Sequence, residues 1–398
     1  MKWETYKLKQ LCSEIVDCVN KTAPTSDVST PYKMLRTSDI RDGKINLENL
    51  NCVTKEVYEK WTRRGKLQKG DVIFTREAPL GEVGLVREEK NCFLGQRLVL
   101  FRANNKMCDG RFLMYSLLWH DNKQAIISKG VGSTVAHLRV PECENIEIKV
   151  PDLDAQHRIA DILSAYDDLI ENNQKQIKLL EEAAQRLYKE WFVDLRFPGY
   201  ENTKIVDGVP EGWSKSTVGN ICKLRKVVIT PDKIESNTPY IGLEHMPRND
   251  ICLSMWGKSE EINSNKFIYL KKDVLFGKIR PYFHKVGFAL NDGITSTDTM
   301  VMVADQNLWG LLLVTVSSDA FVDFSYQNCK EGAKMPRADW KQMEKYAIMI
   351  ADQATQKLFE QEILVITNRI SALAFQCRSL REARDRMLPK LMGGEVEV

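Results

Sequence analysis

The chain lacks the usual marks of a membrane or secreted protein. None of its 398 residues lies in an apolar run of membrane-spanning length, and the opening MKWETYKLKQL has no signal-peptide core. The ten cysteines form no C-x-x-C pair and no regular framework, which argues against a disulfide scaffold. A net charge of +3 is too small to indicate a nucleic-acid partner by itself. We therefore expect reduced thiols, no membrane partner and a cytoplasmic location.

Catalytic motifs are also missing. There is no G-x-x-x-x-G-K-[ST] loop and no G-x-S-x-G elbow, and residues 130–132 lack the last glycine of a dinucleotide-binding loop. The segment 280–283 is not the Asn/Asp-Pro-Pro-aromatic motif of an adenine methyltransferase. The five histidines have no metal-ligand spacing. We predict a chain that is not an enzyme, with no metal or cofactor of its own.

What the sequence does contain is one long helical pattern, written twice. Over 156–192 and again over 356–392, apolar residues recur in alternating steps of four and three, the 3.5-residue period of a coiled-coil seam. The candidate residues for this seam, or for a partner surface on it, are Ile170, Asn173, Ile177, Leu180, Leu187 and Trp191 in the first copy and Ile370, Leu373, Leu380 and Met387 in the second.

The segments before the two helices also match each other. Residues 66–86 align with 269–289, which places Arg76 opposite Lys278, and residues 96–103 pair with 298–305. DVIF, EVGLV and RLVLF are short apolar runs between turn residues and indicate strands. RFLMYSLLWH and LWGLLLVTVSS favour buried helices, with strand as the alternative.

These patterns predict an α+β fold with tandem duplication. Two similar mixed α/β domains are joined by two long antiparallel coiled-coil helices and related by a pseudo-twofold axis. The predicted boundaries are 1–152 for the first domain, 153–196 for the central helix, 197–352 for a linker and the second domain, and 353–398 for the C-terminal helix. The linker prediction comes from the polar, Pro/Gly-containing composition of 197–212.

Three stretches resemble a known family. The first helical segment carries Gln156, ENNQ at 171–174 and LYKEWFVD at 187–194, and the C-terminus reads SLREARDRMLPKLMGGEVEV. Through them the whole chain resembles the specificity subunits of type I restriction–modification systems. Two small departures, Ala155 and the missing proline before Asp352, lie at helix entries and bear on capping.

The resemblance implies a non-catalytic DNA-binding subunit with two target-recognition domains, each reading one half of a bipartite, asymmetric double-stranded target. The helices would set the gap between the half-sites. It further implies two modification (methyltransferase) subunits and two restriction (motor-nuclease) subunits as partners. S-adenosylmethionine, ATP and Mg would belong to those partner subunits.

Candidate DNA-contacting residues follow from the repeat, because Arg and Lys are the main ligands of phosphate and guanine. Glycine beside hydroxyl and basic side chains also suits close approach to a backbone. The alternative is a solvated strand end for the two strand positions and an ordinary polar loop for the others. The candidates are Arg76, Lys129, Ser133, Thr134, His137 and Arg139 in the first domain and Lys278, Arg280, Lys334 and Arg337 in the second.

Two seam positions have open interpretations. Asn173 either is buried and fixes the helix register or is exposed to water. Trp191 either belongs to the core, which its size favours, or anchors a partner subunit. For the whole chain, the alternative to DNA recognition is a coiled-coil adaptor that binds proteins without contacting DNA.

Overall fold

The structure is a computed structural model that describes residues 2–132, 136–260, 262–305, 307–329 and 335–398. Its residues group into two compact units. Unit 1 contains Met1–Leu169 and Leu380–Val398, and unit 2 contains Ile170–Ser379. Each unit therefore includes part of both long helices.

Unit 1 is a mixed α/β unit whose main sheet has the strand order β2-β10-β7-β8, with all pairs antiparallel. A smaller sheet has the order β6-β3-β9, in which β3 and β9 are parallel. The strands are β1 (Glu4–Lys7), β2 (Cys12–Asp17), β3 (Lys33–Leu35), β4 (Ile40–Arg41), β5 (Lys44–Ile45), β6 (Asn51–Cys52), β7 (Val72–Thr75), β8 (Val83–Leu85), β9 (Cys92–Leu94), β10 (Leu98–Ala103) and β11 (Glu147–Val150). The helices are α1 (Leu8–Leu11), α2 (Lys55–Trp61), α3 (Gly110–Leu118), α4 (His120–Ser128), α5 (Val140–Glu144) and the first part of α6 (Leu153–Tyr188).

Unit 2 has a five-stranded sheet of order β15-β23-β20-β21-β18 and a four-stranded sheet of order β16-β19-β22-β17. Its strands are β12 (Ile205–Val206), β13 (Val209–Pro210), β14 (Ser214–Thr217), β15 (Lys223–Leu224), β16 (Val228–Ile229), β17 (Tyr240–Ile241), β18 (Cys252–Leu253), β19 (Lys266–Tyr269), β20 (Val274–Gly277), β21 (Val286–Ala289), β22 (Gly293–Thr295), β23 (Thr299–Val303) and β24 (Ala347–Ile350). Its helices are α7 (Val218–Ile221), α8 (Trp309–Val316), α9 (Asp319–Gln327), α10 (Trp340–Met343) and the first part of α11 (Gln353–Met392).

Apolar burial explains the central strands and the helices that cover them. Strand β7 has the sequence VIFT and is buried along its whole length, because side chains on both faces of the strand are covered. Helix α3 is capped at its N-terminus by Asp109, whose carboxylate accepts hydrogen bonds from the N–H groups of Arg111 (2.7 Å) and Phe112 (3.2 Å). The strands indicated by DVIF, EVGLV and RLVLF and both predicted buried helices, now α3 and α8, are confirmed.

The duplication extends to the backbone of both units. Ala78 and Arg280, two residues after the equivalent positions Arg76 and Lys278, both have φ near +51°. Strand β10 pairs with β7 as β23 pairs with β20, and the parallel pair β3–β9 recurs as β17–β22. The predicted fold class, two similar mixed α/β domains with long helices, is thus confirmed.

One sequence pairing was wrong by a residue. Leu98 pairs with Thr75, and Thr299 pairs with Gly277. Because Thr75 and Gly277 are equivalent, Leu98 corresponds to Thr299, so the offset in this strand is 201. The sequence comparison had used 202 and had aligned Gln96 with Asp298. The register of backbone hydrogen bonds, which composition does not reveal, decides such a slip.

The long helices run antiparallel within unit 2. Moving forward along α6, the Ile170 carbonyl contacts the Cys377 thiol (3.7 Å), and the Gln176 amide oxygen accepts a bond from Arg369 (3.4 Å). After α6, Trp191 lies 5.6 Å from Phe359, measured between ring centroids. Residue numbers on α11 therefore fall as those on the first helix rise. Both helices are capped at the start by an aspartate, since Asp152 accepts from the N–H of Ala155 and Asp352 accepts from the N–H of Thr355.

The segment predicted as a linker is folded. Strands β12 and β13 form a hairpin within it, and Phe197 is buried with its ring centroid 4.6 Å from that of Trp213. Two aromatic side chains thus attach the connection to the core of unit 2. Along the described part of the chain, no helix combines the length and apolarity needed to cross a membrane.

Candidate nucleic-acid interface

In unit 1 the backbone of Arg76 joins three segments of the chain. Its N–H donates to the carbonyl of Arg97 (2.8 Å), and its carbonyl accepts from the N–H of Leu138 (3.0 Å). The guanidinium donates to Asp17 (3.1 Å) and to the carbonyl of Leu138 (3.2 Å), and the side chain is only 18% exposed. Because Asp17 offsets its charge and little of its side chain is exposed, Arg76 holds the site together more than it presents a cation to solvent.

Beside Arg76 lies a polar cavity of about 310 Å³, which we call the unit 1 groove. Its lining residues are Asn20, Arg76, Glu77, Gln96, Arg97, His137 and Leu138. Within it, Arg97 is half exposed and forms an ion pair with Glu77 (3.2 Å). Gln96 accepts a hydrogen bond from the Thr22 hydroxyl (3.2 Å). The groove therefore presents hydrogen-bonding groups that solvent or a ligand can reach.

The other sequence candidates of unit 1 lie close in the chain to His137, which lines the groove and forms a β-bridge with Glu77. Lys129 is exposed at the end of α4, where its N–H donates to the carbonyl of Ile126 (3.2 Å). Arg139 is exposed at the start of α5, and its N–H donates to Glu142 (2.6 Å). The remaining candidates in these loops, Ser133, Thr134 and Lys334, lie outside the described residues.

Unit 2 repeats the arrangement around Lys278. The N–H of Lys278 donates to the carbonyl of Asp298 (2.8 Å), and its carbonyl accepts from the N–H of Ala338 (2.9 Å). The ammonium donates to the carbonyl of Thr297 (2.7 Å), and burial lowers the pKa of Lys278 below its ordinary value. Like Arg76, Lys278 uses its side chain to hold the neighbouring turn.

Arg337 is the most exposed of the three candidate cations of this site, and Lys278 and Arg280 are both half-buried. Arg337 is 58% exposed and pairs with Asp298 (3.0 Å). The N–H of Arg280 donates to the carbonyl of Pro336 (2.8 Å), and its guanidinium lies 5.8 Å from the ring centroid of Phe283. The structure therefore brings Lys278, Arg280 and Arg337 together.

Sequence reasoning missed several groups at these two sites. Gln96, Arg97 and Glu77 in unit 1 and Thr297 and Asp298 in unit 2 were not among the candidates. The sequence signal that could have found Arg97 and Asp298 was their equivalent position in the turns before β10 and β23. The alignment error of one residue concealed this equivalence.

The predicted seam residues are divided between the two units. In unit 2, Ile170, Asn173, Trp191, Ile370 and Leu373 are buried, whereas Ile177, Leu180 and Leu187 are half-buried and pack against the core. In unit 1, Leu380 and Met387 are half-buried.

Both open interpretations of the seam now have a structural answer. The Asn173 side chain is buried, with its amide donating to Gln376 (3.4 Å), which is not the water-exposed alternative. Trp191 lies in the core of unit 2 beside Phe359, as its size favoured.

Two buried carboxylates lie next to the seam, and neither was expected. In unit 1, Asp167 accepts hydrogen bonds from the Tyr115 hydroxyl (2.6 Å) and from Arg384 (2.6 Å). In unit 2, Glu181 accepts from the N–H groups of Ile251 (2.9 Å) and Cys252 (3.2 Å). Burial raises the pKa of Glu181 to about 8, and the charge of Asp250 adds to the shift. The described residues contain no group of three or more His, Cys, Asp and Glu arranged to hold a metal ion.

Comparison with known proteins agrees with this architecture. Residues 1–182 match the model of the type I restriction modification DNA specificity domain. A type I restriction enzyme MjaIX specificity subunit from Methanocaldococcus jannaschii is 25% identical over 364 residues, covering 83% of this chain and 78% of that protein. A putative MjaX specificity subunit from the same organism is 28% identical over 227 residues, covering 55% of this chain and about half (52%) of that protein.

The fold also matches a solved structure along nearly the whole chain. The S subunit of a type I restriction-modification system from M. genitalium superposes with a TM-score of 0.60 at 15% identity, covering 98% of this chain and 96% of that one. The fold of this chain is therefore that of the M. genitalium S subunit, and its first 182 residues resemble a DNA specificity domain. In sequence the chain is thus similar to type I restriction–modification specificity subunits.

Proposed function

We propose that this chain is the non-catalytic DNA-reading subunit of a type I restriction–modification complex in the cytoplasm. Each unit reads one half of a bipartite, asymmetric target in double-stranded DNA. The family supports DNA recognition as the task. The observation that carries the proposal of two readers is the recurrence of one polar, cationic site on the same backbone arrangement in both units.

The accessible cations suit contact with phosphate. Both units present ammonium or guanidinium groups at least partly to solvent. They belong to Arg97, Lys129 and Arg139 in unit 1 and to Arg280 and Arg337 in unit 2. Such groups fix the position of a protein on the duplex, and polar side chains between them read base edges. Arg97 and Arg337 are each paired with a carboxylate, so their orientation is defined before DNA arrives.

The long helices are proposed to set the gap between half-sites and to dock two modification subunits. With 36 residues in α6 and 40 in α11, they are roughly 54 and 60 Å long at 1.5 Å per residue. The modification subunits would supply S-adenosylmethionine. Two restriction subunits would supply the ATP- and Mg-dependent steps.

The experiment is binding to mixed-sequence duplex DNA as a function of salt, with and without a co-expressed modification subunit. Neutralising about six phosphates predicts a slope of roughly −5 in a plot of log K against log[salt]. Binding that does not depend on salt and does not change with the partner would favour the protein-binding adaptor instead.

The half-sites themselves are found by methylome sequencing of cells that carry the chain and its modification subunit. The proposal expects one methylated bipartite motif with a constant gap. A motif without a gap would contradict two separate readers.

A further inference from the structure

The two candidate sites share one backbone frame. The N–H of Arg76 donates to the carbonyl of Arg97 in the turn before β10. The N–H of Lys278 donates to the carbonyl of Asp298 in the turn before β23, and both distances are 2.8 Å. Arg76 and Lys278 each also accept from the residue after a β-bridge, at 3.0 and 2.9 Å. The bridges themselves are equivalent, Glu77 with His137 and Ile279 with Arg337. Backbone bonds therefore hold Glu77, Arg97 and His137 of unit 1 in the same arrangement as Ile279, Asp298 and Arg337 of unit 2, and Gln96 and Thr297 precede Arg97 and Asp298 in the two turns.

The side chains at the equivalent positions of this frame differ between the two units. From unit 1 to unit 2 they change from Glu77 to Ile279, from Gln96 to Thr297, from Arg97 to Asp298 and from His137 to Arg337. Each frame still contains one ion pair, but its polarity along the chain is reversed. In unit 1 the turn before β10 supplies the cation, Arg97, whereas in unit 2 the turn before β23 supplies the anion, Asp298.

The residues that flank β7 and β20 are more alike. Arg76 and Lys278, which follow these strands, are both cationic, and both direct their side chains to carbonyl oxygens of the protein. Asp71 and Asp273, which precede the strands, also correspond, and each binds an arginine, Arg102 in unit 1 (2.9 Å) and Arg225 in unit 2 (2.8 Å). The flanking residues are thus similar in both units, while the accessible groups of the frame differ.

Side chains of this kind distinguish bases. Arginine recognises guanine O6 and N7, glutamine recognises adenine N6 and N7, and aspartate accepts from cytosine N4. Gln96 and Arg97 are exposed at the unit 1 groove, whereas Thr297 and Asp298 occupy the equivalent positions in unit 2, where Asp298 pairs with Arg337. Two frames that carry different hydrogen-bonding groups would prefer different bases, as an asymmetric target requires.

We propose that Glu77, Gln96, Arg97 and His137 determine the half-site read by unit 1, and that Ile279, Thr297, Asp298 and Arg337 determine the half-site read by unit 2. Arg76 and Lys278 are positioning residues for these frames. The inference rests on the proposed function and names the residues that carry its specificity.

The test transplants one frame into the other unit. The variant Glu77→Ile/Gln96→Thr/Arg97→Asp/His137→Arg gives unit 1 the side chains of unit 2 while keeping one acid–base pair. The variant and the wild type, each in complex with the modification subunit, are used to select bound sequences from random duplex DNA. We expect the unit 1 half-site to change at one or more base pairs and the unit 2 half-site to remain. Discrimination against the former unit 1 bases should reverse by on the order of 10- to 100-fold.

A matched control is Lys149→Met, which takes the side chain of the equivalent position 349 on β24. It removes one exposed positive charge of unit 1 away from the groove, and both half-sites should persist. Folding of the transplant is checked by its thermal transition and by the retained unit 2 half-site. If the transplant does not fold, Gln96→Thr alone, at an exposed position, should alter the unit 1 half-site.

The outcomes separate the inference from the proposed function. If the wild-type complex selects a bipartite target and the folded transplant selects the same target, the inference is overturned and the proposed function stands. Loss of both half-sites in a folded transplant also overturns it, because the frames would then not act separately. If the wild-type complex selects no sequence, the proposed function fails and the inference with it.

Discussion

Replacing the buried Glu181 with glutamine should remove a pH dependence of stability from unit 2. The carboxylate is 6% exposed and accepts two backbone hydrogen bonds from the start of the β18 region. Its pKa is about 8 in the folded protein, against an ordinary value of 4.5. Between these values the folded state keeps a proton that the unfolded chain has released. The free energy of unfolding therefore falls as pH rises through this window.

The size of the effect follows from the pKa shift. One pKa unit corresponds to about 1.36 kcal/mol, so the full shift is worth on the order of 5 kcal/mol once the pH exceeds 8. Glutamine retains an oxygen that can accept from the N–H groups of Ile251 and Cys252 but carries no charge. We expect Glu181→Gln to match the wild type near pH 4.5 and to be more stable by a few kcal/mol at pH 8.5.

The assay is urea unfolding from pH 4.5 to pH 8.5, followed by tryptophan fluorescence, since Trp191, Trp213 and Trp256 lie in or against the unit 2 core. The matched control is Glu182→Gln at the adjacent, exposed position, which should retain the wild-type pH dependence. If the stability of the wild type and that of Glu181→Gln depended equally on pH, the argument that burial disfavours the charged form of this carboxyl would be refuted.

Three further predictions concern the helices. Asp167→Ala should reduce the free energy of unfolding of unit 1 by roughly 1–3 kcal/mol, because the buried Tyr115 hydroxyl loses its acceptor and Arg384 keeps only the more exposed Asp385; denaturant titration measures this, and an unchanged free energy of unfolding would contradict it. Asn173→Leu introduces the side chain found at Leu373 and should raise the thermal midpoint of unit 2, because the 3.4 Å hydrogen bond from Asn173 to Gln376 is weak. A lower midpoint would show that this hydrogen bond stabilises unit 2 more than the added apolar contact does. Inserting one heptad in both long helices should lengthen the gap in the methylated motif by about three base pairs, since seven residues add ~10 Å; altered half-site bases at an unchanged gap would argue against a spacer.

Local patterns sufficed for much of the fold. The 3.5-residue period predicted both long helices, and they are present as Leu153–Tyr188 and Gln353–Met392. The apolar run at Val72–Thr75 predicted a strand, and the structure has a strand there whose four residues are all buried. The spacing of apolar residues indicates which faces of a helix or strand are buried, so it predicts the element without knowledge of what packs against it.

The candidate site was predicted only in part. The repeat correctly paired Arg76 with Lys278, but it assigned both to DNA contact, whereas the structure shows their side chains bound to carbonyl groups of the protein. Contact with DNA at these two positions stays a prediction. Arg97 and Asp298 were not found, because a one-residue shift had aligned Asp298 with Gln96.

The sequence by itself determined the duplication and the helix period, because each depends on residues compared along the chain, and it also carried the family resemblance. Tertiary structure decided which charges are neutralised. The bond between Arg76 and Asp17 joins residues 59 positions apart, and that between Asp167 and Arg384 joins residues 217 apart. The partner and the degree of burial determine whether a cation supports the fold or remains available to a ligand, and both arise only when distant segments pack together.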